Sequence, residues 1–251
     1  MKITIAGYGY VGKAMHELLK SNYDISIVDP IINNTTIAET NPEAVIICVS
    51  TPQGLHGECD VSNVIQVIDD TPTNVPILIK STISLEGWQE IIKCPAPLRV
   101  SFSPEFLRAK TAIEDCLNST TMYIGHGGTA YWSDIFLKAK PNLEIKTYDV
   151  KELILAKYFR NSFLATKVSF FNQIFDLCKK MNIDYEPVRQ VITDDKRIGG
   201  GHSLITDERG FGGHCFPKDT NAISETAKLY GSELTIIDEA IYYNKIIKSR
   251  K

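Results

Sequence analysis

The chain has 251 residues, 43% of them hydrophobic, enough to bury the core of one large domain or two ordinary ones. A formal charge of −3 argues against a nucleic-acid or anionic-membrane surface, so an anionic ligand would be held locally by helix N-termini and a few placed Arg or Lys. No nucleic-acid or membrane partner is therefore expected: no segment approaches an apolar membrane span, and the apolar run at the N-terminus is too short for a signal peptide. The cysteines at 48, 59, 94, 116, 178 and 215 form no CxxC pair and no Cys/His cluster. That pattern suggests neither a metal site nor a disulfide framework, and a reducing, cytoplasmic setting is expected. Five of the six read as buried small hydrophobes.

Taken in order, residues 2–6 form a short β-rich run, followed by Gly7-Tyr8-Gly9-Tyr10-Val11-Gly12 and a helix from Lys13 to Leu19. Further strands are predicted at Asp24–Asp29, Ala44–Val49, Pro76–Lys80, Leu98–Phe102, Thr121–Gly125 and Leu143–Thr147. The third is apolar throughout, as a strand buried on both faces should be. Helical stretches such as Asp60–Asp69 and Leu85–Ile92 fit between them. Alternating strands and helices imply an α/β fold with a Rossmann-like, doubly wound parallel sheet, over 1–148. From Val150 to Asn182 no strand or turn signal breaks a long helical reading. Such a helix usually needs a partner surface along much of its length. Helices are also predicted at Pro187–Thr193, 219–230 and 233–247, with a Gly-rich loop at 199–214. The second domain, 149–251, is thus mostly α-helical and built on the long helix.

Gly7, Gly9 and Gly12 form GxGxxG directly after a strand and at the start of a helix. The first glycine permits the turn, the second lets a pyrophosphate approach, and the third lets helix and strand pack. The helix N-terminus then faces the phosphates, and Tyr10 and Val11 of the turn are counted with the cofactor site. Asp29, closing the next strand, can accept hydrogen bonds from both ribose hydroxyls and would repel a 2′-phosphate, so the expected cofactor is NAD rather than NADP. Ser50-Thr51-Pro52 and Lys80-Ser81-Thr82 follow the third and fourth strands, and ligands of such sheets bind at those carboxyl ends.

The second signal is Gly210-Phe211-Gly212-Gly213-His214-Cys215-Phe216-Pro217-Lys218-Asp219. Glycines let a backbone approach a ligand closely or take positive φ. A cysteine beside cationic groups is a candidate nucleophile, and His214 and Lys218 flank Cys215. Lys157 and Asn161 are four apart on one predicted helix, so they share a face on which a lysine and an amide could stabilise an oxyanion. A carboxylate within reach of the carbon that such a thiol captures could act as general base.

Several segments together resemble the UDP-glucose/GDP-mannose dehydrogenase family. They are the glycine turn, Ser50-Thr51-Pro52, Lys80-Ser81-Thr82, Ser103-Pro104-Glu105-Phe106-Leu107-Arg108, Lys157-Tyr158-Phe159-Arg160-Asn161, Asp195-Lys196-Arg197-Ile198-Gly199 and the Cys215 loop, in the family's order. The resemblance implies oxidation of the C6 alcohol of a nucleotide sugar to a carboxylate with two NAD. Cys215 would capture the intermediate aldehyde as a thiohemiacetal that is oxidised to a thioester and hydrolysed. It further implies that Glu105 helps to activate water, Thr82 orients it, Lys157 and Asn161 surround the substrate oxygen, and Asp219 stands near the thiol. By the same likeness Ser81, Thr82 and Lys218 join the cofactor site. Phe106, Leu107, Arg108 and Gly212 join the substrate site, as does Arg197 across a homodimer interface. UDP-glucose is the expected sugar, on the strength of Lys196-Arg197-Ile198-Gly199.

The chain also departs from the family pattern. His214 stands where Ser is usual, Ala109-Lys110 follows Leu-Arg where Glu-Gly is common, and Gly200-Gly201-His202-Ser203-Leu204 replaces a usual Phe-Leu pair. The family commonly continues into a third, nucleotide-holding domain, which the resemblance does not cover here. Two alternatives therefore stand beside the leading one. The first is a two-electron β-hydroxyacid-type dehydrogenase, which needs no thiol loop. The second is a member that binds NAD or dimerises without turnover.

Overall fold

A computed structural model describes residues 1–54, 59–94, 99–213 and 215–249. By its internal contacts the chain divides into two compact units, Met1–Gly54 with Cys59–Lys157, and Tyr158–Lys251.

The first unit is built on a sheet of seven strands, β1 (Lys2–Ala6), β2 (Asp24–Val28), β3 (Ala44–Ile47), β4 (Ile77–Ile79), β5 (Val100–Phe102), β6 (Thr121–His126) and β7 (Glu144–Thr147), in the order β2-β1-β3-β4-β5-β6-β7. All seven predicted strands are present; Leu98, expected to open the fifth, lies outside the described residues. β3 and β4 are buried at every position, which explains their unbroken apolar sequence. Helices α1 (Tyr10–Leu19), α2 (Ser62–Asp70), α3 (Leu85–Ile91), α4 (Ala112–Asn118) and α5 (Thr129–Ala139) fall between the strands. Ile3, Ile5, Ile46 and Leu78 of the sheet pack with Met15 and Leu19 of α1 and with Trp132, Ile135 and Phe136 of α5 in one core. Alternate residues Val45, Ile47, Ile77 and Ile79 are buried as well, so both faces of the central strands are covered.

One expectation about the sheet needs correction. Strands β1 to β5 are mutually parallel, but β6 runs antiparallel to β5, with Ser101 opposite His126 and Phe102 opposite Gly125. β7 then follows β6 in parallel. The cause is the link from β5 to β6. A parallel neighbour requires a connection that crosses the full length of the sheet. The link over 103–120 does not: the chain re-enters the sheet at the end where β5 left it.

The second unit is helical. α6 (Val150–Lys180) runs unbroken for 31 residues, beginning in the first unit and continuing through the second. α7 (Tyr185–Thr193) starts on Asp184, whose carboxylate accepts from the Glu186 N–H at 3.1 Å. α8 (Phe216–Leu229) and α9 (Thr235–Ser249) pack against each other. α8 begins three residues earlier than its sequence suggests. Pro217 in its first turn sacrifices a backbone N–H that would be unpaired anyway, so the helix can start directly after Cys215.

Candidate active-site residues in the two units

The three glycines of the first turn differ in what surrounds them. Gly7 has φ +91°, and a Cβ there would stand 2.7 Å from the Cys48 and Val49 backbone. At Gly12 a Cβ would stand 2.1 Å from the Gly7 carbonyl oxygen, so only glycine lets α1 pack down onto β1. At Gly9 a Cβ would meet nothing within 4 Å, which leaves the N-terminal end of α1 open above the turn. Tyr10 and Val11 pack sideways onto the core. Asp29 follows β2; its carboxylate accepts from the Tyr8 N–H at 2.6 Å and the Ile31 N–H at 2.9 Å, tying the end of β2 to the glycine turn. These residues fit a dinucleotide. The turn exposes helix N–H groups at an uncrowded glycine, and an acid stands at the end of the next strand.

Of the other predicted cofactor residues, Ser50, Thr51, Pro52, Ser81 and Thr82 follow the carboxyl ends of β3 and β4, whereas Lys218 lies on α8 of the second unit. The Ser81 hydroxyl donates to the Val49 carbonyl at 2.7 Å, joining the segments that follow β3 and β4. Thr51 is buried, whereas Ser50 and Pro52 are exposed. The Ser50 carbonyl accepts from Asn63 at 3.0 Å and that of Pro52 from the Asp60 N–H at 3.0 Å. Half-buried Thr82 accepts at its carbonyl from the Cys59 thiol at 3.3 Å.

Glu105, after β5, has a partner that sequence reasoning did not supply. The ammonium group of Lys80, a residue only 2% exposed, forms an ion pair with the Glu105 carboxylate and donates to the Ser103 hydroxyl at 2.8 Å. A buried lysine charge demands such an anion. Lys157, also buried, donates to the Glu105 backbone carbonyl and lies 5.5 Å from the centre of the Phe106 ring. Glu105 is thereby gripped at carboxylate and backbone by two lysines. Leu107 turns into the core, and Arg108 is largely exposed, with its guanidinium on Asp115 of α4. That guanidinium, donating to Asp115, holds the Asp115 carboxyl well below the usual carboxylate range.

In the second unit Cys215 is the N-cap residue of α8, and its carbonyl accepts from the Asp219 N–H at 2.8 Å. Lys218 and Asp219 therefore lie in the first helical turn rather than ahead of it. The Asp219 carboxylate, in a residue 1% exposed, accepts from the Asn161 amide at 2.5 Å and pairs with the Lys218 ammonium at 2.8 Å. Thiol, carboxylate, amide and ammonium are thus carried by one helix start and one turn of α6. His214 lies outside the described residues. Gly212 is half-buried, and a Cβ there would stand 3.4 Å from the Lys248 ammonium. Arg197 stands apart from this group: its side chain is 89% exposed and bonded to Asp195.

All six cysteines are free. Burial pushes the Cys48 thiol up against the opposing pull of Lys80, raises that of Cys94, and takes that of Cys116 to about 12. The groups that hold the Cys215 loop in place also escaped the sequence reading. Asn172 of α6 and Asn244 of α9 are buried and bonded to its backbone. The available signal was an amide inside an otherwise apolar helical stretch, since a buried amide must find a partner.

Fold and glycine turn together define a dinucleotide-binding α/β protein with a helical second unit. Residues 31–132 match the NAD binding domain of the UDP-glucose/GDP-mannose dehydrogenase family, and residues 152–246 match that family's central domain. The chain belongs to this family and carries its NAD-binding domain. Among curated proteins it is similar to a UDP-glucose 6-dehydrogenase of Rickettsia bellii, 36% identical over 218 residues that span 82% of this chain and 50% of the relative. Another, from Campylobacter jejuni, is 28% identical over 99% of this chain and 73% of its own length. The chain spans about half the length of the Rickettsia relatives it matches. Among solved structures, a UDP-glucose dehydrogenase from the hyperthermophilic archaeon Pyrobaculum islandicum superposes with a TM-score of 0.81 at 24% identity, covering 98% of this chain and 68% of that one. At that identity the likeness speaks to fold. Among the described residues no helix is long and apolar enough to cross a membrane, and no group of three or more His, Cys, Asp or Glu is placed to hold a metal.

Proposed function

We propose that this chain takes part in the NAD-dependent oxidation of the C6 alcohol of a nucleotide sugar, UDP-glucose to UDP-glucuronate, through a covalent intermediate on Cys215. The observation that carries the reading is the bond from Asn161 to Asp219, one turn after the cysteine at the N-cap position of α8. A buried amide–carboxylate pair beside a cysteine serves no packing purpose that an apolar pair would not serve better.

The Gly7–Gly12 turn and Asp29 would hold NAD, which would supply the hydride acceptor, one NAD+ for each of the two oxidations. The chain's own groups handle the rest. As the alcohol carbon loses hydride, its oxygen loses a proton and becomes a carbonyl. The Cys215 sulfur adds to that carbon, and the oxygen, now carrying the negative charge, is stabilised by Lys157 and Asn161. Loss of a second hydride leaves a thioester. Water, oriented by Thr82 and relieved of a proton by Glu105, then adds to the thioester carbon; the C–S bond breaks and the thiol is restored. Covalent capture keeps the aldehyde from escaping between the two oxidations. Phe106, Leu107, Arg108 and Gly212 serve the sugar nucleotide in this scheme, as does Arg197 from a second copy.

A homodimer through the second unit belongs to the same reading. Phe159, Phe163, Phe170 and Leu177 are exposed at helical spacing along α6, and the first two line an apolar groove with Leu234 and Ile236. Six free cysteines support a reducing, cytoplasmic setting.

The test is a panel of nucleotide sugars with NAD+, with products identified by mass spectrometry. The reading expects a uronate and two NADH per sugar. An aldehyde with one NADH would move the chain to a two-electron dehydrogenase. Folded protein that binds NAD+ but turns over no sugar would leave a binding or dimerising member. Light scattering at micromolar concentration checks the dimer, and a monomer there would remove Arg197 from the site.

A further inference from the structure

We infer that Asn172 and Asn244 are positioning residues: two buried amides that clamp the loop leading to Cys215 into a single conformation. The inference rests on the proposed role of Cys215 for its functional meaning, though not for its geometry. Between Arg209 and Gly213 the loop backbone is unusual at three points. Arg209 has φ +51°, Gly210 φ +60° and Gly213 φ +74°. Glycine takes the left-handed region freely, but arginine does so at a cost that the surroundings must meet.

The surroundings are specific. The Asn172 carboxamide oxygen accepts from the Arg209 Nε–H at 2.8 Å and from the Gly210 N–H at 3.2 Å. It therefore bonds the side chain of one left-handed residue and the backbone of the next. The same guanidinium donates to Asp176 at 2.6 Å and lies 4.6 Å from the centre of the Phe175 ring, and Tyr243 of α9 donates to the other Asp176 oxygen at 2.8 Å. Asn244 makes the second grip. Its oxygen accepts from the Phe211 N–H at 2.8 Å and its nitrogen donates to the Phe211 carbonyl at 3.0 Å, replacing a strand partner for that residue. Phe211 is itself buried. The fit is tight at Gly210, where a Cβ would stand 2.2 Å from the Asn244 oxygen. The loop is thus fixed to α6 five residues before the thiol and to α9 four residues before it. The bond from Asn161 to Asp219 fixes it to α6 again four residues after.

The test compares the full chain with Asn172→Leu, which removes the acceptor at similar volume, and Asn172→Asp, which keeps it. Amide hydrogen exchange is read at Gly210 and Phe211. Asn172→Leu should speed exchange there by at least about tenfold, and Asn172→Asp should stay within about threefold of the parent. Where the parent oxidises a nucleotide sugar, Asn172→Leu should lower kcat at least about tenfold, leaving KM for NAD within about twofold, and Asn172→Asp should recover most of the loss. Unchanged exchange in Asn172→Leu overturns the clamp whatever the turnover. Loosened exchange, in a parent that oxidises no nucleotide sugar, overturns the functional reading and leaves the clamp standing. If Asn172→Leu fails to fold by circular dichroism, Arg209→Gln decides by the same exchange measurement: faster exchange supports the clamp and unchanged exchange overturns it.

Discussion

In the first unit backbone geometry and a largely buried ion pair place the candidate groups; in the second, side-chain amides do. Gly7 and Gly12 are glycines because neighbouring backbone occupies the space a Cβ would need, and Glu105 is held because Lys80 is buried beside it. Among the described residues the Cys215 loop pairs with no strand, and Asn172 and Asn244 supply the hydrogen bonds that a sheet would otherwise give. A sheet edge is a rigid platform built from local sequence. A helical unit must recruit partners far along the chain to hold a loop still, here 38 and 33 residues away.

The contrast is sharpest when each device is broken. Lys80→Met leaves the half-buried Glu105 carboxylate without its cation and should cost about 3 kcal/mol in denaturant unfolding. Replacing both partners, as in Lys80→Met with Glu105→Leu, should recover more than half of that. A double variant no more stable than the single one would mean the pair is not what holds Glu105.

Gly12→Ala and Gly9→Ala should separate packing from binding. The first forces a Cβ to within 2.1 Å of the Gly7 oxygen and should cost about 2 kcal/mol or more, with loss of NAD binding. The second meets no protein atom at an ordinary φ of −68°, so stability should stay within about 0.5 kcal/mol while NAD affinity falls about tenfold or more by calorimetry. Equal effects in both assays would contradict a pyrophosphate lying over Gly9.

The cysteines offer a third comparison. At pH 8 a thiol titrating at about 12 is ionised to roughly one part in ten thousand, so Cys116 should be inert to iodoacetamide, and Cys48, pushed up by burial, likewise. Cys215, half-buried at a helix start, should be modified at least about tenfold faster than either by peptide mass spectrometry. Comparable labelling of all three would remove the special status of the loop thiol.

The smallest effect is expected at Asp115. Its folded-state carboxyl lies below the unfolded value of about 3.9, so the stabilisation from Arg108 is present above that pH and is lost as pH falls toward the folded value. Asp115→Asn should cost about 1 kcal/mol at pH 7, and its stability should converge with the parent's as pH drops below about 3. A difference independent of pH would mean that the ion pair contributes nothing.

The sequence was most legible where structure is local. The seven strands, GxGxxG with its acid, and the long helix each announce themselves within a few residues. The reversed β6 was not legible, because strand direction depends on which end of the sheet a connection returns to, and no single residue encodes that. The start of α8 was placed too late, because Gly-rich and Pro-containing sequence reads as loop although Pro217 suits a first helical turn. The ion pair of Lys80 with Glu105 and the grips of Asn172 and Asn244 join residues 25, 38 and 33 apart. A sequence pattern flags such groups as buried polar residues without naming their partners.

The most direct test of the covalent route is Cys215→Ala assayed with NAD+ and UDP-glucose under conditions where the parent forms UDP-glucuronate. The thiol account requires that uronate formation fall below detection in the variant while its NAD affinity stays within about twofold of the parent's. Uronate produced at the parental rate by the alanine variant would contradict it.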